Sequence, residues 1–173
     1  MKRRMYLMII ALLIVWQVEA QINTPQPSPL GEVSQTVGLT DVTITYSRPG
    51  VKGRKIFGGL EAYDKLWRTG ANMATKLTVS DEVMIEGNSL PEGEYAIFSI
   101  PGEEEWTMII NENTNQGGTG NYKESEDVFR FKVPAKKIDM PFETFTFMFS
   151  DLTDTGADVH MVWENTMVTF SIE

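Results

Sequence analysis

Apolar and polar residues alternate with a period of two along most of this chain, and that period predicts strands rather than helices. Val42, Ile44 and Tyr46 alternate with Thr43, Thr45 and Ser47, as expected of a strand with one buried face. The pattern returns at Leu77 and Val79, at Val83 and Ile85, and at Phe129, Phe131 and Val133. It returns again at Phe145, Phe147 and Phe149, at Val159, Met161 and Trp163, and at Val168, Phe170 and Ile172. Within Gly87–Asn111 two runs break the alternation, because Tyr95–Ile100 and Trp106–Ile110 are almost continuously apolar. Such runs predict central strands covered on both faces. Pro101-Gly102 joins them as a hairpin, Pro presetting φ and Gly supplying a positive φ.

Turn residues at Gly87-Asn88, Glu92-Gly93, Pro101-Gly102, Thr155-Gly156 and Glu164-Asn165 punctuate the strands. The expectation is an all-β, single-domain antiparallel β-sandwich of about nine or ten short strands, with a closed β-barrel as the alternative. Leu60–Trp67 is the one segment with room for a short helix. Two stretches read as loops: the glycine-rich Asn113–Lys123, and Arg48–Asn72, the longest segment without a period.

The N-terminus changes the compartment. Lys2, Arg3 and Arg4 precede the unbroken apolar run Met5–Val15, and Val18-Glu19-Ala20 ends in the small residue a signal peptidase prefers. Residues 1–20 are therefore expected to be a signal peptide and 21–29 a proline-rich leader, leaving 30–173 as the folded domain. The run is too short to span a bilayer comfortably. Export to the periplasm or beyond is the expected localisation, with no stable membrane anchor after cleavage.

The whole chain carries a formal charge of −9, and without residues 1–20 it holds 12 Lys/Arg against 23 Asp/Glu. A surface that acidic repels nucleic-acid phosphates and anionic lipid. The absence of cysteine excludes disulfides, thiolate zinc sites, cysteine nucleophiles and a lipidated N-terminal cysteine.

Candidate chemistry is sparse. His160 is the single histidine, which closes histidine-based zinc sites, and by alternation it faces away from Val159, Met161 and Trp163 toward solvent. No Gly-x-Ser-x-Gly elbow supports a Ser-His-Asp triad. Asp151, Asp154 and Asp158 could offer oxygens to calcium, but they match no EF-hand loop and suit an ordinary turn. Arg48, Lys52, Arg54 and Lys55 concentrate positive charge in an acidic protein, and Trp67-Arg68-Thr69-Gly70-Ala71-Asn72 follows soon after. Arg forks clamp carboxylates and phosphates, while Trp and Asn add stacking and amide hydrogen bonds. The expected ligand-binding set is Arg48, Arg54, Trp67, Arg68 and Asn72, with Asn111 and Tyr122 at its rim. The competing expectation is that the same arginines pair with nearby acids and brace the loop.

At these residues the chain resembles the domain of unknown function 2911 family of exported bacterial proteins, found mainly in Bacteroidetes-type bacteria. The carriers are Thr43–Leu60 (TITYSRPGVKGRKIFGGL), Trp67–Asn72 (WRTGAN), Leu90–Gly102 (LPEGEYAIFSIPG) and Glu105–Asn111 (EWTMIIN), then Tyr122 and Asp127–Arg130. The resemblance covers about Ser28 to Ile172 and departs at Met73 and Glu92, where small residues are usual. It implies one exported domain and supplies no catalytic residue. The functional expectation is a non-catalytic envelope or periplasmic binding module, without cofactor or metal, for an anionic or polar small molecule or peptide. The alternatives are a carboxylate-dependent hydrolase of envelope polymers and a purely structural protein.

Overall fold

A computed structural model describes residues 24–173, so the expected signal peptide and the first leader residues lie outside the described part. Strands β1 (Leu30–Val37) and β2 (Thr40–Ser47) form a hairpin, with Gly38 at φ +60° in its two-residue turn. β3 (Thr75–Val79), β4 (Val83–Ile85), β5 (Asn88–Leu90), β6 (Gly93–Ile100) and β7 (Glu105–Asn111) follow. The long strands β8 (Asp127–Ser150) and β9 (Ala157–Ile172) complete the domain. Neighbouring strands are antiparallel in the order β1-β2-β3-β6-β7-β8-β9-β4-β5, a single nine-stranded sheet that does not close.

The alternating residues explain how that sheet folds over. Val42, Ile44, Leu77, Val83, Ile85, Val133, Phe145, Phe147, Val159, Trp163 and Phe170 all join one buried cluster, although they come from strands far apart in the sheet. A flat sheet could not bring them together, so the sheet bends into facing, sandwich-like layers around one core. β8 makes the bend. Its first part pairs with β7, as in Met108 opposite Phe131, and its later part pairs with β9, as in Phe147 opposite Met161.

The pairs Phe129–Val133 and Phe145–Phe149, which read as separate strands, are therefore two ends of one strand. The same is true of Val159–Trp163 and Val168–Ile172 in β9. Register shifts between Lys137 and Phe142 and between Phe142 and Thr146 absorb the bend. Glu164, opposite Phe142, has φ +53°, so the expected turn at Glu164-Asn165 is a local kink within a continuous strand.

β6 and β7 occupy the middle of the sheet and are covered on both faces. Ile97, Trp106, Met108 and Ile110 face the main core, while Ala96, Phe98 and Ile109 build a second cluster with Ala74, Leu66, Ile100 and Tyr122. The continuous apolar runs follow from that double burial. Gly102 does not have the positive φ expected of it. Its requirement is steric: a Cβ there would lie 2.2 Å from the Glu105 carbonyl oxygen.

Leu60–Trp67 is not helical. It lies in turns, bridged by Phe57 to Glu61 and by Trp67 to Ser99. Trp67 exchanges backbone hydrogen bonds with Ser99 at 2.7 and 2.9 Å, taking the place beside β6 that lies beyond the end of β3. Sheet pairing of the loop outweighs any local helical preference there.

Candidate functional site

The loop between β2 and β3 supplies most of the predicted ligand set, and it is held in an unusual backbone. Lys52, Asp64, Thr69 and Asn72 all have positive φ, and Thr69, at +55°, is β-branched, for which that region is a true outlier. Several contacts hold Thr69 in place. Its hydroxyl donates to Ser99 Oγ at 2.9 Å, and its carbonyl accepts from the Thr75 hydroxyl. Trp67 Nε1 donates to Gly70 O at 3.1 Å, closing the motif on itself. Strain sustained by this many contacts concentrates where a chain positions functional groups. The residue so positioned is Arg68.

The predicted residues have different fates. Arg48 bridges the layers, donating from Nε to Phe145 O at 3.2 Å and from Nη2 to the Thr144 and Thr146 hydroxyls at 3.2 and 2.9 Å. Arg54 donates to Val51 O and Gly50 O at 3.0 and 2.6 Å, bracing its own turn. Trp67 is buried among Phe57, Trp106, Phe145 and Trp163. Asn72 donates to Ser28 O and Ser47 Oγ at 3.2 and 3.1 Å, tying the leader to the loop.

Arg68 differs from the rest. It is half-buried, its Nε is buried without a hydrogen-bond partner, and it joins none of the ion pairs among the described residues. Arg48 and Arg54 are likewise absent from those pairs: the two bind backbone carbonyls and hydroxyls rather than acids.

Sequence reasoning missed Glu61. Burial pushes its carboxyl from 4.5 up to about 7, opposed by the nearby positive charges of Arg68 and Arg54. A glutamate among Leu60, Ala62 and Tyr63 carries no signal of this, because the burial comes from the loop folding across the end of the sheet. The folded protein keeps a proton on Glu61 between about pH 4.5 and 7 that the unfolded chain releases. Stability therefore falls as pH rises through that window and levels off above it. Partial exposure reduces the penalty to about 1–2 kcal/mol. Glu61→Gln is expected to flatten the slope of melting temperature against pH across this window and to raise stability near pH 8. Identical slopes for variant and parent would show that the carboxyl is not desolvated.

A groove of about 420 Å³ runs beside this loop, lined by Val51, Arg54, Phe142, Glu143, Glu164 and Asn165. Its two carboxylates cap backbone N–H groups of the loop, Glu143 from Lys52 at 2.9 Å and Glu164 from Ile56 at 3.4 Å. With Arg54 in the same groove, the acids do not form an isolated carboxylate pair.

The two rim residues belong to a separate network. Asn111 is fully buried and donates to Lys123 O at 3.3 Å and Asp127 Oδ1 at 2.8 Å. Its own oxygen accepts from Asn113 N at 3.0 Å and Gln116 Nε2 at 3.1 Å. Tyr122 donates to Asp127 at 2.7 Å, accepts from Arg130 at 2.8 Å, and packs its ring 5.1 Å from Phe98. Burial first, then the hydrogen bond to Asp127, pushes its phenol up to about 12. These contacts pin the glycine-rich loop; they do not bring Asn111 into the arginine cluster.

His160 does lie opposite Val159, Met161 and Trp163, but half-buried rather than fully exposed. Its Nε2 contacts Ser150 Oγ at 2.5 Å and its Nδ1 contacts Thr169 Oγ1 at 2.8 Å. Asp151 bonds to the serine hydroxyl rather than to the ring, so the order of contacts is not that of a catalytic triad. The ligand atoms of Asp151, Asp158 and His160 lie within 4.8 Å of one another, whereas Asp154 stands outside that group.

The profile of a protein family described as "Protein of unknown function (DUF2911)" matches residues 28–172. The chain belongs to this family. The match takes in both the strained loop around Arg68 and the glycine-rich loop, so each lies inside the DUF2911 domain. No curated protein and no solved structure matches the chain.

Proposed function

We propose that this protein is exported to the periplasm or cell surface and works there as a binding module for an anionic or polar small molecule or peptide, engaged at Arg68. One observation carries the proposal: a half-buried guanidinium on a strongly acidic protein has no ion pair among the described residues. A half-buried guanidinium without a hydrogen-bonded acid is costly to keep, and functional sites are one place where such groups are kept. The strained backbone around Thr69 supports the same reading, since the loop fixes the position of Arg68. The basic n-region and apolar run at the N-terminus support export.

The test is a thermal-shift screen of residues 21–173 against sugar acids, short peptides and divalent ions. A ligand at about a hundred times its dissociation constant adds roughly 2.7 kcal/mol to stability. Arg68→Ala is expected to lose that gain while keeping its unliganded fold. Equal shifts in parent and variant would move the site away from Arg68.

A second reading, a hydrolase acting through carboxylates, is favoured by the Glu61 carboxyl lying near 7, where a general acid works best. It expects turnover of an envelope polymer that Glu61→Gln abolishes.

A further inference from the structure

At the end of β8 and the start of β9 the fold gathers metal-binding atoms around one point. One ligand atom from each of Asp151, Asp158 and His160 lies within 4.8 Å of the other two. Asp158 and His160 stand two residues apart on β9 and so share a face of it. Ser150 lies opposite Asp158 in the β8–β9 pairing, and Asp151 follows it as the chain leaves β8. Ser150 Oγ is 2.8 Å from Asp151 Oδ2 and 2.5 Å from His160 Nε2, so the carboxylate and the imidazole nitrogen converge on the same place. A cavity of about 150 Å³ opens there, lined by Asp151, Thr153, Asp158, Ser171 and Glu173. Asp151, Asp158 and Glu173 join none of the ion pairs among the described residues, so no lysine or arginine there offsets their charge.

Acids gathered on so acidic a surface would say little by themselves; the imidazole sets this group apart. The sequence offered Asp154 as the third oxygen of a calcium site, whereas the fold puts His160 in that place. Calcium and magnesium take oxygen ligands, and an imidazole beside carboxylates suits zinc and its first-row neighbours. The chain has no second histidine and no cysteine, so a site of several imidazoles stays closed. Carboxylates, which zinc also binds at about 2.0–2.2 Å, supply the other two places. Atoms bound to one ion at that length stand about 3–4 Å apart, so the group closes by about an ångström on binding. The exposed Asp151 side chain has the freedom to make that movement. On the far side of the ring, Nδ1 is 2.8 Å from Thr169 Oγ1, a hydroxyl able to accept its proton. The tautomer protonated at Nδ1 leaves the Nε2 lone pair for an ion, which then displaces the Ser150 hydroxyl. Ligating histidines are commonly held through their other nitrogen in this way.

We propose that Asp151, Asp158 and His160 form a site for one divalent first-row transition ion of the zinc type, held by an oxygen of each aspartate and by His160 Nε2. The site lies apart from Arg68. Asp154 O approaches the Gly38 turn that enters β2, where a Cβ would stand 3.4 Å from it, and the Arg68 loop begins at the other end of that strand. The inference therefore stands or falls independently of the binding function proposed above.

Because the protein has one histidine, its imidazole reports on this site alone. Zinc is titrated into residues 21–173, with calcium and magnesium for comparison. Calorimetry counts the ions, and nitrogen correlation spectra follow the His160 ring. The expected result is one zinc per chain, with the Nε2 resonance moving to that of a metal-bound nitrogen. Zinc should bind tighter than calcium or magnesium by about tenfold or more. Removing even the groups that hold a metal ligand in place costs about 10–100-fold in affinity, so Asp158→Asn and His160→Gln are each expected to cost about tenfold or more. Zinc binding that leaves the imidazole unmoved overturns the inference, because exposed acids then hold the ion elsewhere. Calcium binding as tight as zinc overturns it as well, and so does the absence of zinc binding. The spectrum of the parent protein needs no variant, so a misfolded Asp158→Asn or His160→Gln protein does not blunt the test.

Discussion

Replacing Trp67 with alanine is expected to destabilise the protein by about 3–5 kcal/mol, a large part of the roughly 5–15 kcal/mol available to a domain. Trp67 is 2% exposed and touches aromatic neighbours on several sides. Its ring centroid lies 5.3 Å from Phe145, 5.9 Å from Phe57 and 6.0 Å from Trp106, edge to face, and it stacks on Trp163 at 5.9 Å. These residues come from the loop, β7, β8 and β9, so one side chain ties the loop to both layers. Truncation leaves a cavity among four rings and removes the partner of the Gly70 carbonyl. It also frees Thr69 and Asn72 to leave their left-handed backbone, so Arg68 would lose its fixed position. Trp67→Phe, which keeps a ring but loses the indole N–H, is expected to cost about 1–2 kcal/mol. Urea denaturation of both variants checks the prediction. A loss under about 1 kcal/mol for the alanine variant would mean that the aromatic cluster does not anchor the loop.

What the sequence revealed, and what it hid, divides along physical lines. Strand faces were legible because a period of two in Val42–Tyr46 or Phe145–Phe149 records burial on one side directly. The double coverage of β6 and β7 was legible for the same reason, as apolarity at consecutive positions. Continuity was not legible. The alternation fades through Lys136–Pro141 and resumes with Phe142 and Phe145, which looks the same for a loop between two strands as for one strand bending across a corner. The site was legible only in part. The arginines and WRTGAN stand out by charge and composition, but which arginine is satisfied depends on carbonyls and hydroxyls brought from β8, as Arg48 shows with Phe145, Thr144 and Thr146. Glu61 was hidden because its chemistry is created by burial alone. Trp106 and Trp163 read as core, and they are core; that their N–H groups lack acceptors is a fact of three dimensions.

Asn111 is the second position where a single change is expected to have a large effect, for a reason opposite to the one its sequence suggests. Lying where β7 meets the glycine-rich loop, it reads as a rim residue of a ligand site. In the fold it is a fully buried amide with both donors and both acceptor positions engaged. Its partners span residues 113–127, so it fastens both ends of the loop to the sheet. Asn111→Ala removes these bonds together and leaves Asp127 and Gln116 each short of a partner, and Gln116 already has one buried oxygen unmatched. The expected cost is about 3 kcal/mol, the sum of more than one orphaned group. Tyr122→Phe, which removes a half-buried hydroxyl from Asp127 and Arg130 but keeps the ring on Phe98, is expected to cost only about 1 kcal/mol. Hydrogen exchange separates a local from a global effect. In Asn111→Ala the amides of residues 112–123 should exchange much faster, while those of β2 and β9 change only by the global loss. If Tyr122→Phe proves the costlier of the two, the loop is fastened by its ring of charges at Asp127 and Arg130, and Asn111 is an accessory to it.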